Sequence, residues 1–274
     1  MASSSLPSNV HVSTHPCLKA KLSLLRSQST HARDTKQLVH EIATIIGCEA
    51  LAHGLQVTET GSVSSHSAEN RTRKRHIPTS NSSNNPKKTP QRNIPTVSNN
   101  ALLQDTSPLG YPYATQTITP TSVCLVPILR SGLSMVDALQ SLLPTPVPVH
   151  HLGLYREKTT LDPVEYYNNL PYHKASTGAA GEPKVPDLAI VVDPIIATGA
   201  TLCAAIDTLR DWGVPRIIAV SVLSSRAGLV KAAEAWGEGV EVWVGGVDAE
   251  TEERGMIKPG LGDIGDRLFL TVGK

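Results

Sequence analysis

The chain has 274 residues, 40% of them hydrophobic, and a formal net charge of +1. That length fits one large domain or two small ones, and the balanced charge gives no reason to expect nucleic acid or an anionic membrane as partner. Phe269 is the only phenylalanine, so the core must be built from Val, Ile, Leu and Ala.

The four cysteines, Cys17, Cys48, Cys124 and Cys203, show no C-x-x-C spacing, and each sits in an apolar pattern. Reduced core thiols are therefore expected rather than a disulfide frame or a zinc site. The N-terminal MASSSLPSNVHV has neither a positive leader nor an apolar h-region, and no apolar run is long enough to span a bilayer. A cytoplasmic location is the default.

In chain order, residues 1–16 read as a disordered Ser/Pro/His-rich tail. Leu18, Leu22 and Leu25 share one helical face. A second helix follows, with Asp34-x-x-Gln37 as its capping box and Leu38, Ile42, Ile45 and Ile46 as its apolar face. From about Val57 to Asn100, Ser, Asn, Thr, Pro and Lys replace every apolar period, which predicts a disordered polar insertion. Its basic cluster, Arg71 to Arg75, matches a nuclear-targeting or nucleic-acid patch in composition. No aromatic residue interleaves the charges for base stacking, so a solvated linker is expected and nucleic acid is not.

Order is expected to return at Val123. Val123–Leu129 reads as a buried strand, Arg130-Ser131-Gly132 as a tight turn, and Leu133, Val136, Leu139 and Leu143 as a helix face ended by Pro144. A strand from Val147 to Tyr155 leads into the polar loop beginning at Arg156, and Glu165–Pro171 suggests a projecting hairpin. Beyond Leu188, strands and helices alternate at short spacing, with strands at 188–192, 216–223 and 240–244 and helices at 201–212 and 226–236. Such alternation implies βαβ units and a parallel sheet flanked by helices, an α/β fold.

In open α/β sheets, ligands collect at the carboxyl ends of the strands. Arg130, Arg156 and Asp193 each follow such an end, and a tract with three glycines and two acids, Ile257 to Arg267, lies near the C-terminus. The stretch Leu188–Leu202, LAIVVDPIIATGATL, is a strand ending in an acid and turning through Thr and Gly into a helix. Free backbone N–H groups and the positive end of the helix dipole would hold a phosphate there, with Asp193 beside it for a sugar. The loop contains no lysine, as a Walker loop would, and only one glycine, where a dinucleotide fingerprint needs three.

These segments resemble the uracil phosphoribosyltransferase branch of the type I phosphoribosyltransferases. VPILRSGL is similar to that family's VPILRAGL, DPIIATGAT to its DP-x-x-ATGGT/S, and PGLGDIGDR to its PGLGDAGDR. LYREKTTLDPVEYYNNLP and HPCLKAKLSLLR resemble two further family segments. The resemblance implies one phosphoribosyltransferase domain over 17–274, interrupted by the insertion at about 57–100, with a small hood built from the N- and C-terminal segments. It implies that uracil and 5-phosphoribosyl diphosphate (PRPP) give UMP and diphosphate in pyrimidine salvage, with Mg²⁺ accompanying PRPP.

By the same resemblance, Arg130, Arg156, Asp193 and Asp263 would be catalytic. PRPP would contact those four and the loop Pro194, Ile195, Ile196, Ala197, Thr198, Gly199, Ala200 and Thr201. Main chain at Ile257, Gly262, Asp263 and Ile264 would read uracil. A homodimer or higher homo-oligomer and activation by GTP are further implications.

The chain departs from the pattern at Ala200, where the family has a second glycine. It also departs at Lys258, Met256, Ser131 and Ser134. If position 200 needs positive φ, its methyl costs on the order of 1 kcal/mol. Two alternatives follow from these departures. One is a weak or non-catalytic regulator of the same fold that binds nucleotide, protein or RNA. The other is a transferase for a different base.

Overall fold

The computed structural model describes residues 5–60, 104–157, 162–171 and 185–271. It forms two compact units, one of Met1–Gln56 with Ile118–Lys274 and one of Val57–Thr117.

The first unit is a helix-flanked, mostly parallel sheet. Its strands are β1 (Val10–Val12), β6 (Val123–Leu129), β7 (Leu152–Arg156), β8 (Pro163–Asn168), β9 (Leu188–Val192), β10 (Ile195–Ile196), β11 (Ile217–Ser225) and β12 (Val240–Asp248). Across the sheet the order is β1-β12-β11-β9-β6-β7-β8, with β10 attached to β11, and only β8 runs antiparallel to its neighbour. The central strands β6, β9 and β11 are buried along nearly their whole length because both sheet faces are covered.

Alternation assigns the side chains of β9 to the two faces. Leu188, Ile190 and Val192 join a core with helices α1 (Pro16–Arg26), α2 (Ala32–Gly54) and α3 (Leu133–Leu142). Ala189 and Val191 join a second core with α4 (Ala200–Trp212) and α5 (Arg226–Glu234). Gly213 (φ 98°) ends α4, its N–H donating to the Arg210 carbonyl, and the Val214 N–H reaches Leu209. Pro127, which has no N–H, lies where the β6–β7 ladder is broken, between the Leu125↔Val149 bridge and the Ile128↔Leu152 pair.

Several expectations need correcting. Residues 10–12 of the supposed tail form β1, paired in parallel with Val242–Val244 of β12. Helix α2 begins at Ala32 with His31 as its cap residue, so Asp34 lies inside the first turn and forms no capping box. Val57–Glu59 extend from Gln56 as strand β2 (Gln56–Glu59), Thr60 follows it, and residues 61–100 of the expected insertion, with Arg71–Arg75, lie outside the described residues. Among the cysteines only Cys124 is a core residue, with burial pushing its thiol up to about 12; Cys17 and Cys48 are exposed. No described helix is long and apolar enough to cross a membrane.

The second unit contains the hairpin of β3 (Gln104–Thr106) and β4 (Pro112–Ala114). Strand β5 (Gln116–Thr119) pairs with β2 in a separate two-stranded sheet. After β12 the chain forms the small hairpin of β13 (Glu250–Thr251) and β14 (Ile257–Lys258), then α6 (Ile264–Phe269).

Candidate active site

Strands β6 and β9 run side by side with Pro127 opposite Val192, so the residues that follow, Arg130 and Asp193, emerge at one edge of the sheet. They border a cleft of about 280 Å³. Its walls bring together Arg130, Ser131, Asp193, the loop from Ile195 to Gly199, Thr201, and the C-terminal residues Ile257, Gly262, Asp263 and Ile264. Three segments far apart in sequence thus meet in one concavity, as expected from the carboxyl-end rule.

Two of the expected contacts are placed differently. Pro194 is buried, and its carbonyl accepts from the N–H groups of Val222 and Leu223, both at 3.0 Å, so it supports the loop without lining the cleft. Ala200 is the first residue of α4 and is absent from the cleft wall. The positive φ belongs to Gly199 (78°), and among the described residues Leu270 is the only non-glycine in that region. The methyl of Ala200 therefore carries no left-handed penalty. For Arg156 the backbone position is defined, at the end of β7 opposite Pro163.

The phosphate-type loop is held from below by β11 and α5. Ser225 Oγ accepts from the Gly228 N–H (2.9 Å), capping α5, and donates to the Ala197 carbonyl (2.5 Å). Ser224 Oγ donates to the Ile196 carbonyl at 3.0 Å. Gly199 and Gly228 touch backbone to backbone: a Cβ on Gly199 would lie 2.5 Å from the Gly228 carbonyl oxygen, and one on Gly228 2.2 Å from that of Ala197. Helix α4 has no side-chain cap, so the N–H groups of its first turn and the helix dipole face the loop that would carry an anion.

Asp193 accepts from Ser131 Oγ at 3.1 Å through Oδ1. Asp263 caps α6, its Oδ1 accepting from the Asp266 N–H at 3.1 Å. The guanidinium of the exposed Arg130 lies 5.9 Å from the Phe269 ring centroid. Tyr155 and Tyr166 line the cleft from β7 and β8, with ring centroids 6.0 Å apart. Met256 also lines it, whereas Lys258 is exposed, is not part of the wall, and lies opposite Glu250 in the β13–β14 pair. The two substitutions that suggested a regulator, Ala200 and Lys258, thus leave the cleft unobstructed.

Sequence reading missed the clamp that positions the C-terminal wall. Arg26, at the end of α1, makes a bidentate pair with Asp248, Nη1–Oδ2 and Nη2–Oδ1 both 2.7 Å. Arg26 Nη1 also donates to the Gly260 carbonyl (2.7 Å), and the Gly260 N–H donates to Asp248 Oδ2 (2.9 Å). Arg267 Nη1 donates to the carbonyls of Leu25 (2.7 Å) and Leu261 (2.8 Å). Burial, the largest influence on Asp248, pushes its carboxyl up. The hydrogen bonds from Arg26 and Gly260 and the Arg26 charge together outweigh it, leaving the group below its ordinary value. The available signal was the arginine closing HPCLKAKLSLLR, a family-like segment with no evident chemistry of its own.

The family model for uracil phosphoribosyltransferase matches residues 12–81 and 96–271. A putative uracil phosphoribosyltransferase of Schizosaccharomyces pombe is 46% identical over 156 residues, 57% of this chain and 70% of that protein. The uracil phosphoribosyltransferase of Desulfitobacterium hafniense is 34% identical over 96% of this chain and 98% of its own. That of Listeria welshimeri is 32% identical over 96% and 99%. Among solved structures, the AQ2163 protein of Aquifex aeolicus superposes with a TM-score of 0.70 at 24% identity, covering 97% of this chain and all of that one, a likeness of fold. The chain belongs to the uracil phosphoribosyltransferase family.

Proposed function

We propose that the protein transfers the 5-phosphoribosyl group of PRPP to uracil, forming UMP and diphosphate in pyrimidine salvage. The observation that carries this reading is the convergence, in one cleft, of Arg130, Asp193, the loop Ile195–Gly199 with Thr201, and the Ile257/Gly262–Ile264 wall. In the reaction the C1–oxygen bond to diphosphate breaks, a bond from uracil N1 to C1 forms, and the N1 proton is lost. The transition state is oxocarbenium-like, so catalysis consists chiefly of positioning and of stabilising the departing diphosphate.

The N-terminal turn of α4, with the Thr198 and Thr201 hydroxyls, would hold the 5′-phosphate. Asp193, oriented by Ser131, would accept from the ribose hydroxyls. Arg130 and Arg156 would offer permanently charged planar forks to the diphosphate. Uracil presents an acceptor–donor–acceptor edge, and main-chain groups at Ile257 and Gly262–Ile264 have the fixed polarity to read it, so cytosine's amino group would face a donor.

The cleft's carboxylates, Asp193 and Asp263, supply the oxygen donors that suit Mg²⁺, and among the described residues neither a thiol nor an imidazole lines it. Mg²⁺ would be held by the substrate's diphosphate and water with these carboxylates beside it, neutralising leaving-group charge. Incubating the purified chain with PRPP, Mg²⁺ and radiolabelled uracil is expected to yield labelled UMP. A signal no higher than that of heat-killed protein overturns the proposal.

A further inference from the structure

Away from the cleft, the edge of the sheet gathers three groups that the transferase chemistry does not use. His11 comes from β1, His53 from the last turn of α2 and Glu241 from β12. Their ligating atoms all lie within 4.8 Å of one another, and none of the three lines the active-site cleft. Glu241 Oε2 is 3.8 Å from His11 Nε2 and 2.9 Å from His53 Nδ1. These two spacings bracket the roughly 3.4 Å edge of a tetrahedron whose bonds are about 2.1 Å long.

The carboxylate is already aimed. Its Oε1 accepts from Arg216 Nη2 at 3.2 Å, which leaves Oε2 turned towards the imidazoles. Oε2 is buried and receives no hydrogen bond: the short approach to His53 satisfies ion-pair distance but not hydrogen-bond direction. The rings are fixed as well. His11 stacks on the Trp243 indole with centroids 4.1 Å apart and planes 14° apart, and His53 tilts against the same indole at 5.6 Å.

We propose that His11, His53 and Glu241 form a three-ligand site for a divalent transition metal of the zinc class. Two imidazoles and one carboxylate are a donor set zinc accepts, whereas Mg²⁺ prefers oxygen alone. The fourth position opens to solvent on the side of His53, whose side chain is 52% exposed. Bound metal would join the N-terminal strand, the end of α2 and β12. Arg216 shares the carboxylate and lowers its charge, so binding is expected in the micromolar range rather than at structural-zinc strength.

Full-length protein freed of metal with a chelator should bind one equivalent of Zn²⁺ by calorimetry, with the unfolding midpoint rising by several degrees. Co²⁺ should give d–d absorption of a low-coordinate site. His53→Ala, a change at an exposed position that leaves the circular dichroism unaltered, should weaken Zn²⁺ at least tenfold and abolish the Co²⁺ bands. Glu241→Gln should do the same. Absence of saturable binding overturns the proposal. Wild-type affinity in His53→Ala also overturns it, because the ion is then held elsewhere, for example at the exposed thiols of Cys17 and Cys48.

Discussion

At the scale of single residues, one departure from the family pattern acquires a role and another loses its importance. Ser131 stands where the family-like VPILRAGL has alanine, and its hydroxyl donates to Asp193. Restoring Ala at 131 removes one partly exposed hydrogen bond to a carboxylate, worth about 0.5–1 kcal/mol. Ser131→Ala is therefore expected to lower kcat/KM two- to fivefold, with the unfolding midpoint lowered by no more than about 2–4 °C, in steady-state and thermal assays. Arg130 is exposed, and Arg130→Ala should cost on the order of 10²–10³ in kcat while changing stability by no more than about 0.5 kcal/mol.

Arg130 and Asp193 were legible because charged residues directly after buried strands stand out. Within the same motif, Pro194 and Ala200 stand apart from the cleft wall. A sequence motif spans lining and supporting residues alike, and only the backbone path separates Gly199, which carries the positive φ, from its helical neighbour.

At the scale of elements, the phosphate-type loop depends on the N-terminus of α5. Ser225 both caps that helix and holds the Ala197 carbonyl, so Ser225→Ala loses a cap and leaves a buried carbonyl with one donor fewer. The expected stability loss is about 1–2 kcal/mol by denaturant titration, together with a raised KM for PRPP and little change in KM for uracil. Gly228→Ala should be more damaging, since its methyl would meet the Ala197 carbonyl.

The C-terminal wall depends in turn on the Arg26–Asp248–Gly260 clamp. Asp248 titrates below its unfolded value, so its contribution is complete above the ordinary carboxylate range and is lost as pH falls through the lower, folded value. Asp248→Asn leaves Arg26 without its carboxylate, a loss of about 2–4 kcal/mol at pH 7. Because the wild type forfeits the same interaction in acid, the difference between the two proteins should narrow below about pH 4. Helices with a strong 3.6-residue period and long apolar strands were readable from the chain. The short strands β1 and β3–β5 were not: β1 owes its extended form to pairing with β12, a partner more than two hundred positions away.

At the scale of the molecule, alternation of strands and helices was enough to infer a helix-flanked parallel sheet, and the sheet order then fixes where Arg130 and Asp193 emerge. The division at Val57–Thr117 was less legible, because low apolar content describes a composition and not a boundary. The contribution of α1 to the site was invisible for a different reason: Arg26 acts on Gly260 across 234 positions of the chain.

The central claim is that this cleft recognises uracil and joins it to the phosphoribosyl group of PRPP. The most direct test is kcat/KM for uracil and for cytosine, with purified protein and saturating PRPP and Mg²⁺. A base-reading wall of fixed main-chain polarity predicts UMP formation with uracil and a preference on the order of 10⁴ or more over cytosine. Equal turnover of the two bases, or none with uracil, would contradict it.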